Sequence, residues 1–169
     1  MLKKTSLLIS VMVLCSFSSI HAQAQKPSTP EQRKQVVEMA TFLETNPLAK
    51  EAKDKRAALL LFLIQAPDIT VTICSNVLGD SKKLKGDYES DLVSQLPFSQ
   101  AKFVIENPDK ANDEAAVQLA GVEGVLRMWQ AIKTAKPKAK FPLMDELLQK
   151  QQAGTLAEHV RAGWQGCKK

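Results

Sequence analysis

Histidine occurs only twice among the 169 residues and cysteine three times, so the chain has little material for the sites that sequence motifs normally announce. A zinc centre of the usual kind would have to gather His159 with the distant Cys74, Cys167 and carboxylates. GxSxG, HExxH, a Walker-type phosphate loop and CxxCH are all missing, so nothing marks a nucleophile elbow, a metalloprotease helix or a nucleotide cradle. Positive charge is not concentrated either. The 23 Lys and Arg are interleaved with 18 Asp and Glu along most of the chain, whereas a nucleic-acid binder gathers its cations on one face. No nucleic-acid partner, metal or cofactor is expected.

What is present begins with the properties of an export signal. Lys3 and Lys4 precede an apolar run from Leu7 to Cys15, and polar and small residues follow down to Ala22-Gln23-Ala24. That order suits a cleavable signal peptide, and the run is too short to anchor across about 30 Å of hydrocarbon. Cys15 follows Leu14 rather than the small residue of a lipobox. Residues 1–24 are therefore read as a leader, and residues 25–169 as one exported domain, periplasmic or secreted, long enough to bury a real core. Loss of Lys3 and Lys4 lowers the formal net charge from +5 to +3. Cys74 and Cys167 are then the remaining cysteines, and in an oxidising compartment they are expected to pair. Chain entropy alone makes such a bond worth on the order of 4–5 kcal/mol.

The mature region reads as all-α, with six to seven helices packed as helical hairpins. Thr29-Pro30-Glu31-Gln32 combines an N-cap hydroxyl, Pro at the first helical position and a capping-box Gln, and Val36, Met39, Ala40 and Leu43 then mark an apolar stripe. Asn46-Pro47 ends this helix and opens another over 49–66. Its run Ala57 to Ile64 is apolar at every position, which predicts a helix enclosed on most sides at the centre of the core. Residues 69–73 alternate with a period of two and admit one short strand; a helix capped by Asp68 is preferred, because a lone strand cannot satisfy its backbone. Pro97 kinks or divides the helical stretch 87–106. Asn112-Asp113-Glu114 opens the clearest helix, running to Ala135, and Gly121 and Gly124 within it predict a neighbour packed close to its backbone. Two short helices follow, the second with a capping box at Thr155 and Glu158. Phe42 to Pro47 is echoed by Phe103 to Pro108, without the period of a repeat family.

Each candidate for chemistry has a structural explanation beside it. Asp145 with Glu146, and Asp87, Glu89 and Asp91, are the carboxylate groupings that glycoside hydrolysis would need, yet acids at helix starts also complement the dipole. A Cys/His nucleophilic pair would be silenced by the disulfide. Lys133, Lys136, Lys138 and Lys140 form a local basic cluster able to contact an anionic surface. Trp129 lies on the apolar face of its helix, and Trp164 is expected to dock near the disulfide. The resulting expectation is a non-catalytic module offering a groove between helices to a protein or peptide of the bacterial envelope. The alternatives are a small hydrolase using carboxylates or His159, and an envelope protein held at the membrane surface by its lysines.

Overall fold

A computed structural model describes residues 26–168; the expected leader lies outside them. Six helices follow one another: α1 (Pro30–Thr45), α2 (Ala52–Gln65), α3 (Glu89–Glu106), α4 (Glu114–Ala135), α5 (Pro142–Gln152) and α6 (Leu156–Cys167). Short 3-10 turns at Ser75–Leu78, Ser81–Lys83 and Pro108–Lys110 fill the connections, and there is no strand among the described residues.

Local chemistry sets most boundaries. Thr29 accepts from the Gln32 amide while the Gln32 side chain accepts from the Thr29 amide, a complete capping box at α1. Asp113 accepts from Ala116 N at the start of α4. Asn46 and Asn107 close α1 and α3 with similar non-helical dihedrals and the same amide bond four residues back, to Phe42 and Phe103. The echo between those segments is thus a repeated helix end. Pro97 neither divides α3 nor is exposed; the helix runs through it.

Three expectations need correction. Residues 69–74 form neither strand nor helix; they run extended along the helical body up to the turn at Ser75. Ile69 and Cys74 are buried, Val71 half-buried, Thr70 and Thr72 exposed, so the alternation reports an extended strap with an inner and an outer face. Its backbone finds a partner without a sheet, because the Gln118 amide donates to the Thr72 carbonyl at 2.8 Å. Asp68 does not cap a helix but receives Ser28 and Arg33. Thr155 makes no side-chain cap bond to α6. A left-handed Gly154 sends the Thr155 amide back to the Lys150 carbonyl at 2.9 Å, and that turn closing α5 holds Thr155 away from the extended geometry an N-cap needs.

The third correction concerns α2. It lies at the edge, with Leu59 buried and Leu60, Leu61 and Ile64 between 54% and 66% exposed. The centre is instead α3 packed on α4. One apolar cluster joins Leu92 and Leu96 of α3 to Val125, Leu126 and Trp129 of α4 and to residues of α5 and α6. A second joins Phe98 and Ala101 of α3 to Val36, Ala40 and Leu43 of α1 and Leu59 of α2. Gly121 and Gly124 allow the close approach of α3: a Cβ on Gly124 would land on the Ser99 hydroxyl, and one on Gly121 would sit 2.8 Å from Gln100.

A buried polar knot lies in this region. Glu44, only 2% exposed, accepts from Ser99 Oγ at 2.8 Å, Lys102 Nζ at 3.1 Å and Arg127 at 2.8 and 3.0 Å. Burial alone would raise its carboxyl pKa, but the bonds and charges of Arg127, Ser99 and Lys102 prevail and hold it below the usual range. The knot ties α1, α3 and α4 together. Removing the acid would leave two cations without their partner, the costly case for a buried pair.

Candidate functional site

Because α2 leans on α1 rather than on α3, a cleft of about 770 Å3 opens between α2 and the first half of α3. Leu59 turns inward toward α1, and Lys55 of α2 lies over the Phe42 ring at 4.7 Å. One wall of the cleft is Ala57 and Leu60 of α2; the other is Val93, Pro97 and Phe98 of α3. Ile73 of the extended strap, 68% exposed, closes one side. Arg56 reaches from α2 to Asp91 of α3 at 2.5 Å, with Lys53 and Glu89 also on the rim. The lining is mostly apolar with a few polar groups, which is the composition of a binding cleft.

Sequence reasoning missed this cleft because it took Ala57 to Ile64 as enclosed. A run without polar positions has no moment to say which side faces a neighbour. The strap gave no warning either, because its alternation puts Ile73 on the same face as the buried Ile69 and half-buried Val71, whereas Ile73 is exposed and the next residue, Cys74, is buried.

The other singled-out residues go elsewhere. Cys74 and Cys167 are bonded, with Cα atoms 6.2 Å apart, and tie the strap to the end of α6. His159 lies near Gly79 at the Leu143 side chain. Burial and the charge of Lys150 pull its imidazole below the usual range, against Glu146 and the Val77 backbone. Its Nε2 is buried without a hydrogen-bond partner. Asp145 accepts from the Trp129 indole at 2.8 Å, and Glu146 pairs with Lys150 at 3.7 Å, so these adjacent acids have separate structural partners. Asp87 accepts from the Lys140 amide and Asp91 holds Arg56; Glu89 stands on the cleft rim. Trp129 is fully buried and Trp164 nearly so.

Lys133 of the basic cluster donates to the Ala139 carbonyl and lies over the Trp129 ring, whereas Lys136, Lys138 and Lys140 are exposed. No three His, Cys, Asp or Glu side chains gather as a metal site among the described residues. No helix among them is long and apolar enough to cross a membrane. Comparison of the chain with protein-family models, with curated proteins and with solved structures found no match.

Proposed function

We propose that the mature domain is an exported binding module whose α2–α3 cleft takes an apolar segment of a peptide or protein partner. The observation that carries the reading is the set of large apolar side chains left at the cleft and on the adjoining face of α2: Leu60, Leu61, Ile64 and Ile73, each more than half exposed. An apolar patch that water does not favour is the usual mark of an interaction surface. Covering a half-exposed Leu or Ile gains roughly 1 kcal/mol, so the four together offset about the low end of the cost of association, roughly 4 kcal/mol, and the polar rim and the cleft floor must supply the surplus of a weak, reversible complex. The rim carries Lys53 on the α2 side and Glu89 on the α3 side, which orients an occupant with charges at its flanks. Export fits the leader-like order of residues 1–24 and the Cys74–Cys167 bond.

The test is a photo-crosslinking residue at Ser94, on the cleft wall, with a control at Lys34, on α1. In protein expressed in its host, a discrete adduct is expected at position 94 alone. Leu60→Glu with Ile73→Glu should reduce that adduct at least tenfold without changing the thermal melt. An adduct indifferent to these changes would sink the reading. So would loss of biological activity on His159→Ala, or on Asp145→Asn with Glu146→Gln, while fold and adduct persist; catalysis would then be the better account.

A further inference from the structure

The lysines of the 136–140 loop do not stand alone. The fold lays a second lysine loop, with Lys82, Lys83 and Lys85, directly beside them. Asp87 N donates to the Lys140 carbonyl at 2.9 Å, and Lys140 N donates to the Asp87 carboxylate at 2.7 Å. Gly86 makes the approach possible, because a Cβ there would overlap the Phe141 ring. Two stretches more than fifty residues apart in the chain are thereby stitched together at Asp87 and Lys140, which brings six lysines into two neighbouring loops.

All six side chains are free to act outward. None of these ammonium groups has an ion-pair or hydrogen-bond partner among the described residues. The acids that belong to the same region are committed to internal bonds: Asp80 accepts from the Lys82 amide, Asp87 from Lys140, Asp145 from Trp129, and Glu146 pairs with Lys150. Because Asp80, Asp87 and Asp145 accept only from neutral N–H groups they keep their charge, and six lysines against these three acids leave a net charge of about +3 on this face, with Glu146 offset by Lys150.

The shape of the face decides what it fits. A shallow bowl of about 480 Å3 lined by Asp87, Tyr88, Lys136, Lys138 and Ala139 lies beside the 136–140 loop, and another of about 400 Å3 lined by Lys83, Lys85, Pro142, Leu143 and Glu146 lies beside the 82–85 loop. A small anion entering the first would meet the Asp87 carboxylate on the wall. The exposed lysines instead carry their charges on flexible stems at the loop tips, where several can reach one plane together. The face also lacks an aromatic platform for bases, since Tyr88 is its one aromatic near the surface and both tryptophans are buried.

We propose that the paired loops 82–85 and 136–140 form one cationic face that docks electrostatically on an anionic phospholipid bilayer. This face is separate from the α2–α3 cleft and does not depend on what that cleft binds.

The test uses protein recovered from the exported fraction and vesicles of phosphatidylcholine with or without a large share of phosphatidylglycerol. Sedimentation is expected to show binding only to the anionic vesicles, lost as salt rises from low concentration to about 0.5 M. Lys82, Lys83 and Lys85→Gln, and separately Lys136, Lys138 and Lys140→Gln, should each weaken partition by roughly a hundredfold at low salt, three lysines at the usual contribution of each. Circular dichroism should be unchanged, because these ammonium groups make no ion pair or hydrogen bond among the described residues. If only one triple variant weakens binding, the two loops do not act as one face and the proposal fails. It also fails if neither does, or if heparin or polyphosphate is bound while anionic vesicles are not.

Discussion

Asp68 follows Pro67 at the end of α2 and receives the chain as it enters the domain. Ser28 donates to it from both its amide and its hydroxyl at 2.8 Å, and Arg33 of α1 donates at 2.6 Å. Burial would raise its pKa, but the Ser28 and Arg33 bonds together hold it down to about 2. The sign of the consequence follows. A carboxyl of about 3.9 in the unfolded chain with a lower folded value stabilises the fold in full above about pH 4, and that stabilisation is lost as pH falls through about 2. Asp68→Asn should therefore cost on the order of 1–2 kcal/mol at pH 7, a figure reduced for solvent screening. Urea midpoints of the two proteins should converge as the pH is lowered toward 2. A gap that stays constant with pH would mean that the charge contributes nothing. None of this was legible in the sequence, where Asp after Pro reads equally well as a helix cap.

Among the elements, α4 was the most legible and α2 the least, for the same physical reason. In α4, polar residues interrupt the apolar ones, so Val122, Val125, Trp129 and Ile132 mark a face, and all four are fully buried. In α2 the run from Ala57 to Ile64 has no polar position, and only the tertiary arrangement decides that Leu59 faces inward while Leu60 and Leu61 do not. The glycines of α4 were legible as well, and they support a quantitative prediction. Gly124→Ala should gain about 1 kcal/mol in helix propensity. It should lose more, about 2–4 kcal/mol, because the new methyl falls on Ser99, and Glu44 Oε1 is only 2.9 Å away. Net destabilisation is expected in chemical denaturation. Adding Ser99→Ala should not restore stability, since the Ser99 Cβ also stands where the methyl would go. A Gly124→Ala protein as stable as the parent would show that α3 and α4 can separate freely.

At the scale of the molecule, the disulfide was foreseen from the count of thiols and the expected compartment, while the two-loop lysine face and the cleft were not, because they arise only when distant segments meet. Cys74–Cys167 does more than close a long loop. Cys74 ends the strap and Ile73, a wall of the cleft, is its neighbour, so the bond fixes one side of that cleft to the end of α6. Cys74→Ala with Cys167→Ala should cost about 2–4 kcal/mol and lower the melting temperature by roughly 6–12 °C. The loss should be uneven. The knot at Glu44 involves neither cysteine, and Cys74 is one small member of the large apolar cluster in which α3 packs on α4, so amide exchange is expected to quicken first in residues 69–74 and α6 while α3 and α4 keep most of their protection. A released strap would also withdraw Ile73, so the crosslink from Ser94 should weaken in the double variant at temperatures where the helices remain folded. Uniform loss of protection across all six helices, with the crosslink unchanged until global unfolding, would mean that the strap is held by its own packing and that the cleft does not depend on the bond.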